Sequence, residues 1–364
     1  MEVALSIVGA TTNDKRSSHA MTETTEDLDS DTLDRLRLAP EPALALARLV
    51  EAGADDLPLP GRGRTLARWR ALAEVAAHDL SLVKLYEGHT DALAILAELG
   101  GPAAPAGSCW GTWCAEPPDA RVAMHTEPGG HGTVRLDGRK AWCSGAAGLT
   151  HAIVSTHDDQ DRPCLAAVTL DQPGVRVTDE GWQAVGMAAS ASVDVVFDGA
   201  LGVAVGLPGD YVRRAGFWHG GAGIAACWYG GALGIAREAL ARSGAGGPGG
   251  RAPDPHRLAH LGAVDAALAG AAAVLHRAAE WIDRHPAGDA HRIALNARLV
   301  VEQAAETVLR HAGRALGAGP LCRDGRFARA MADLPVYLRQ SHAERDLAAL
   351  GRHAIDERTP TWTL

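Results

Sequence analysis

The sequence predicts an α+β protein of three successive parts: an N-terminal helical domain, a middle antiparallel β domain and a C-terminal four-helix bundle. Three observations carry that prediction. First, the short runs Ile153-Val154-Ser155, Cys164 to Leu170 and Val175-Arg176-Val177 are rich in β-branched residues and bounded by Gly, Pro and Asp, the pattern of strands joined by tight turns. Second, apolar residues on either side of this region recur at helical spacing. Third, 364 residues exceed one compact core and suit two or three domains.

Taken in order, residues 1–30 are polar, with many Thr, Ser, Asp and Glu, and predict a disordered tail. Residues 31–105 form the helical domain. From Asp31 to Glu51 the apolar positions Leu33, Leu36, Leu44, Ala45, Leu49 and Val50 fall on one helical face, and Pro40 and Pro42 divide the run into two helices. Thr65 is expected to cap the next helix. Ser81 to Leu99 gives another, whose stripe includes His89; a histidine there is either a satisfied core residue or a group facing a cleft. Gly100, Gly101, Pro102 and Pro105 stop the helix and open the β domain, 106–207. Beyond Pro208-Gly209 the chain reads as helical to its end, 208–364, with helices at about Tyr211–Arg242, Arg257–Arg284, Asp289–Gly317 and Arg329–His353. Residues 217–234 are dense in Gly and Ala, which lets helix backbones approach or leaves room for a flat ligand.

Composition narrows the partners. The formal charge of -9 comes without a basic stripe, which excludes nucleic acid. No apolar run reads as a membrane span, and residues 1–10 lack the basic start of a secretory signal; a cytoplasmic chain is expected. Cys109, Cys114, Cys143, Cys164, Cys227 and Cys322 show neither paired nor metal-ligand spacing, so free thiols and no metal are predicted. Val264, Leu268, Val274, Leu275 and Trp281, with Leu295, Leu299, Val300, Val308 and Leu309 on the next helix, exceed what one bundle core hides and predict a homodimer or homotetramer.

Two blocks carry a resemblance. Val134-Arg-Leu-Asp-Gly-Arg-Lys-Ala-Trp-Cys-Ser-Gly-Ala146 and Gly181-Trp-Gln-Ala-Val-Gly-Met-Ala-Ala-Ser-Ala-Ser-Val-Asp-Val-Val-Phe-Asp198 resemble, in order and separation, the middle domain of the acyl-CoA dehydrogenase family. There a G-x-K-x-W-x-S/T-G/N strand precedes a W-x-x-x-G-M-x-x-S-x-S-x-x-V-x-F strand pair. The resemblance implies FAD as cofactor, with Trp142 beside the isoalloxazine and Ser144 near its N5 and O4 edge. It places Trp113, Cys114 and Ala115, before Glu116-Pro117, on the loop that contacts the flavin pyrimidine. Pro118-Asp119-Ala120-Arg121 replaces the Gly-Ser-Asp stretch with which that loop reaches the pyrophosphate. Arg257, Gly317 and Gly319 fall in the regions that bind the cofactor phosphates next to a neighbouring subunit; the plainer reading of the glycines is a helix terminus.

The family's activity is α,β-dehydrogenation of an acyl thioester, in which a carboxylate takes the α-proton while hydride leaves to the flavin. Here Gln340 or Ser341 stands where that Glu is expected, and Ala222 to Trp228, the other usual source, holds no acid. The nearby groups with suitable chemistry are His342 and Glu344. A helix N-terminus at Glu344 would keep its pKa low, whereas a histidine starts near about 6.5; the plainer reading of His342 is a solvent-facing residue. Three readings stay open: an acyl-CoA dehydrogenase-like oxidoreductase, a flavin monooxygenase of the same fold, whose branch lacks the Glu and often places a His here, and a non-catalytic flavin-binding or scaffolding subunit. The substrate is an acyl thioester or another small molecule, and the resemblance admits an electron-transfer partner.

Overall fold

A computed structural model of the chain describes residues 41–127, 132–243, 254–356 and 362. The expected tail, the helix before Pro40 and most of the 243–255 loop lie outside the described residues. The first described helix, α1 (Pro42–Glu51), starts on a proline and buries Ala45, Leu46 and Leu49. Helix α2 (Thr65–His78) corrects one expectation: Thr65 is its first helical residue rather than its cap. The helix start is satisfied from far along the chain, because Asp283 accepts from the Gly63 and Thr65 amides and from Thr65 Oγ1 at 2.6 Å. Helix α3 (Leu80–Leu99) is capped by Asp79, which accepts from Leu82 N at 2.8 Å, and ends on Gly100 at φ 67°. His89 takes the core reading. It is 1% exposed, accepts from Trp110 N at 3.1 Å and lies 3.1 Å from Asp55.

Seven strands follow: β1 (Trp110–Trp113), β2 (Val122–Thr126), β3 (Thr133–Cys143), β4 (His151–His157), β5 (Pro163–Thr169), β6 (Val175–Val177) and β7 (Val193–Ala204). The pairings β2–β3–β7–β5–β4 return to β2 at Ala123/His157, a closed ring that leaves few open edges. The expectation of a wholly antiparallel unit is corrected, since β1 and β2 both run parallel to β4. The second block is not a strand pair either. Residues 181–192 form a loop with a 3-10 turn at Ala188–Ser190, and only Val193 onward is strand. Gly186 explains the loop: a Cβ there would sit 2.0 Å from the carbonyl of Ala332, so glycine lets this segment press onto a C-terminal helix.

The remaining helices are α4 (Asp210–Arg213), α5 (Gly216–Ser243), α6 (Pro255–Arg284), α7 (His291–Leu316), α8 (Ala318–Arg323), α9 (Gly325–Tyr337) and α10 (Glu344–Asp356). The helix expected over 329–353 is therefore two, parted by a 3-10 turn at Leu338–Gln340. The Gly-rich start of α5 leads into a seam where Gly230 and Gly234 meet α2; a Cβ on either would lie 2.2 Å from Ala73 O or 2.6 Å from Ala77 O. Helix α6 corrects the expectation about apolar runs, being long and apolar enough by length and composition to cross a membrane. Its large residues Val264, Leu268 and Leu275 are buried inside the chain, while Ala259, Gly262, Ala266, Ala269, Gly270 and Ala273 are exposed.

Candidate active site

The first block owes its shape to a bulge. The β3–β7 register shifts between Lys140 and Cys143, taking Trp142 out of the ladder at φ 58° with half of its surface exposed. A non-glycine residue in the left-handed region is strained, and the surroundings hold it there. Lys140, fully buried, donates to Ser155 O at 3.0 Å and Ser155 Oγ at 2.6 Å, and Ser155 Oγ donates to Glu116 at 2.8 Å. Burial lowers the Lys140 pKa, opposed by the charges around it. This chain of contacts ties the first block to the loop after β1.

On the other side of the bulge, Ser144 Oγ lies 2.8 Å from Ser192 Oγ, Ser192 lies 2.9 Å from Ser190, and Ser190 donates to Met187 O at 2.8 Å. Gly145 N donates to Ser190 O at 2.8 Å. The two serines of the second block thus lock it to the first. Met187 N in turn donates to Asp333 on α9 at 2.5 Å; burial pushes the Asp333 carboxyl up, and the Met187 hydrogen bond opposes that. Trp113 sits beside Ser144, donating to its carbonyl at 3.3 Å, but its indole is buried. Of the three residues expected along the flavin, only Cys114 and Ala115 are partly exposed. Burial raises the Cys114 thiol to about 11, with Lys140 and Tyr211 opposing.

The turn before α10 is held by one residue that sequence reasoning missed. Arg298, 6% exposed on α7, donates to Gly221 O at 3.0 Å and Gln340 O at 2.8 Å, stacks on Trp228 at 4.9 Å, and comes within 4.0 Å of Asp346. Burial lowers its pKa, against Asp346 and Glu302. Its signal was present, since Arg298 and Glu302 stand as opposite charges at i and i+4 among the apolar Ala294, Leu295, Val301 and Ala305. Asp346 also accepts from His342 N at 3.3 Å and lies 3.6 Å from His342 Nδ1, and Ala343 takes φ 44°. His342 is more than half exposed, and Glu344, the first residue of α10, is exposed too.

Arg257 and the glycine turn come together at the other end of the helices. Arg257 Nε donates to Ala315 O at 3.0 Å, next to Gly317 at φ 68°, where a Cβ would meet nothing within 4 Å, as at Gly319. No hydrogen bond or ion pair among the described residues links this group to Trp142. A flavin fits what each group offers. Trp142 presents an exposed indole to a flat ring, and the open Gly317–Gly319 backbone beside a guanidinium suits a phosphate.

No family model matches the chain. A 72-residue stretch is 42% identical to the amino sugar nitrososynthase DnmZ of Streptomyces peucetius, spanning 19% of this chain and 18% of that relative. Among solved structures, TdsC of Paenibacillus sp. A11-2 in complex with FMN and indole has a TM-score of 0.76 at 20% identity, over 91% of this chain and 95% of that one. KijD3 in complex with FMN and dTDP-3-amino-2,3,6-trideoxy-4-keto-3-methyl-D-glucose has a TM-score of 0.75 at 22% identity, over 91% and 93%. The flavin in those two structures is FMN rather than FAD, and neither likeness supports acyl thioester dehydrogenation. The chain shares its mixed helix-and-sheet fold with TdsC and KijD3 over about nine-tenths of its length.

Proposed function

We propose that the chain is a flavin-dependent monooxygenase that uses FMN to oxygenate a small molecule. The observation that carries this reading is the fold shared almost end to end with FMN-bound structures, together with a last turn that offers no free buried carboxylate as base. Glu344 is exposed, and Asp346 is engaged by the His342 amide and approached by Arg298. A bound reduced flavin supplies activation of dioxygen, one atom going to substrate and the other leaving as water.

In this reading Trp142 stacks on the flavin ring and Ser144 borders its edge, with the backbone at Cys114 and Ala115 along the pyrimidine. Arg257, Gly317 and Gly319 hold the phosphate of a cofactor shared with a neighbouring subunit, and His342 moves the proton. Homo-oligomerisation uses the exposed small-residue face of α6, where Ala and Gly let backbones approach closely. The division into 31–105, 106–207 and 208–364 belongs to the same reading.

The test is equilibrium dialysis of the purified chain against oxidised and reduced FMN, followed by anaerobic addition of acyl thioesters. Retention of one flavin per chain without bleaching by any thioester is expected. Bleaching would restore the dehydrogenase, and no retention of either flavin form would leave a scaffold.

A further inference from the structure

Helix α10 follows directly on the turn of His342, yet it rests on the rest of the chain by little apolar surface. Of its 13 residues only Asp346 is buried, while Leu347 and Ile355 are exposed, so apolar burial contributes little to its docking. Polar contacts to α7 take that role. Near the start of α10, Asp346 lies 4.0 Å from Arg298. Near its end, His353 Nε2 lies 3.1 Å from His291 Nδ1, the two rings crossing at 73°. These contacts are seven residues apart on both helices and follow in opposite order. The helices therefore run antiparallel, with the contacts about 10 Å apart along each axis.

A contact between two histidines depends on their proton count. With both rings neutral, the N–H of one donates to the lone pair of the other, and a single added proton still leaves a donor facing an acceptor. A second proton makes both nitrogens donors and sets two cations against each other across 3.1 Å. On α5, Trp218 packs over the His291 ring with centroids 4.2 Å apart, so the imidazole cannot swing aside without losing that contact. Burial and then the facing His353 hold the His291 pKa below the ordinary histidine value, and Arg352 adds to this. Asp289, Asp346 and the π face of Trp218 oppose it.

We infer that the His291–His353 pair is an acid-released latch that holds α10 on α7 and thereby positions the turn of His342. The latch is closed while at least one ring is neutral and opens when both are protonated. Its pH dependence has one direction. Because the folded chain favours neutral His291, the stability that this residue contributes is present above the ordinary value of about 6.5 and is lost as pH falls through the lower folded value. His342, at the other end of α10, acts in the opposite sense. When charged it is drawn toward Asp346, 3.6 Å from its Nδ1, so acid tightens the start of the helix while it frees the end. The latch rests on the packing of α7 and α10; only its consequence for turnover rests on the monooxygenase reading, in which His342 moves the proton.

The experiment is hydrogen exchange of the full chain at about pH 8 and about pH 5, on either side of the histidine range. Rates are corrected for the intrinsic pH dependence of exchange, and β3 and β7 serve as the reference within the same molecule. Protection of residues 349–356 is expected to fall by about tenfold in acid, the upper size of one net hydrogen bond, while β3 and β7 keep theirs. His353→Gln, whose amide can donate or accept but takes up no proton, should hold the closed-latch protection at both pH values. His353→Ala should show weak protection at both. Unchanged protection of the parent in acid, an equal loss in β3 and β7, or a His353→Gln variant as acid-sensitive as the parent would overturn the inference. No flavin enters this measurement. A chain that retains no FMN therefore contradicts the monooxygenase reading and leaves the latch standing, whereas FMN retention with acid-insensitive exchange contradicts the latch alone.

Discussion

Trp142 and His342 are both about half exposed, yet the chain holds them in different ways. Around Trp142 the ladder of β3 and β7, the Lys140–Ser155–Glu116 chain and the Ser144–Ser192–Ser190 chain all fix the backbone, so a strained φ persists. Around His342 a short turn between two helices depends on Arg298 and Asp346. One side is over-determined and the other hangs on a buried ion pair. In the proposed monooxygenase, one rigid face and one lightly held face would let a substrate enter without disturbing the surface on which the flavin rests.

The sharpest way to break this contrast is at Arg298. Arg298→Leu strands the Gly221 and Gln340 carbonyls and leaves Asp346 with a much weaker cationic neighbourhood, a loss on the order of 3 kcal/mol or more for breaking a buried pair. A lowered denaturation midpoint is expected, with hydrogen exchange accelerated first in residues 338–346 and last in β3 and β7. Equal acceleration in both would mean that the two faces are not held differently. His342→Ala probes the chemistry of the lightly held face: oxygenation turnover should fall by about a hundredfold, the scale of a lost acid–base group, with FMN affinity unchanged. Full turnover in that variant would remove His342 from the mechanism.

What the sequence let one read follows the same contrast. Trp142 and Ser144 stood out only through the resemblance of the two blocks, whereas the strands between the blocks were legible from their β-branched runs. The parallel placement of β1 against β4 was not legible, since pairing partners far apart leave no local trace. Thr65 looked like a cap because its chemistry fits one, but its helix is satisfied by Asp283, more than two hundred residues away. Arg298 and Asp333 were missed for a related reason: each is a charge on an apolar face, and its partners come from other elements. The periodic helix over 329–353 hid its break because Pro335 lies inside α9 and the chain turns only after it.

Asp333 tests the joint between the rigid face and α9. Asp333→Ala leaves Met187 N unpaired in a buried place and should cost about 1–3 kcal/mol. Asp333→Asn keeps an acceptor for that amide and removes a carboxyl that burial pushes up. The sign follows. A carboxyl whose folded pKa is raised contributes stability below its unfolded value and loses it as pH rises through the folded one. The Asn variant should therefore match the parent in acid and equal or exceed it at neutral pH. A thermal midpoint series across pH checks this, and an Asn variant that is weaker at neutral pH would show that the charged form is the one the fold prefers.

The smallest expected effect falls on the most visible residue. Half of the Trp142 surface is exposed, so Trp142→Ala gives up little buried area, and its left-handed backbone is set by the bulge rather than by the indole. Global stability should barely change, by less than about 1 kcal/mol. The loss should fall on the ligand: without an aromatic face to stack on, FMN affinity drops by about tenfold, the upper range for an aromatic pair beyond simple area. Trp142→Phe should recover most of it, and Trp142→Gly, which relaxes the backbone but offers no face, should be at least as stable as the Ala variant and bind no better. Fluorescence titration with FMN alongside the denaturation midpoint separates the two quantities. If Trp142→Ala instead lowers the midpoint and leaves FMN affinity intact, the indole is a structural part of the rigid face, and the ring of the flavin must be sought elsewhere in the fold.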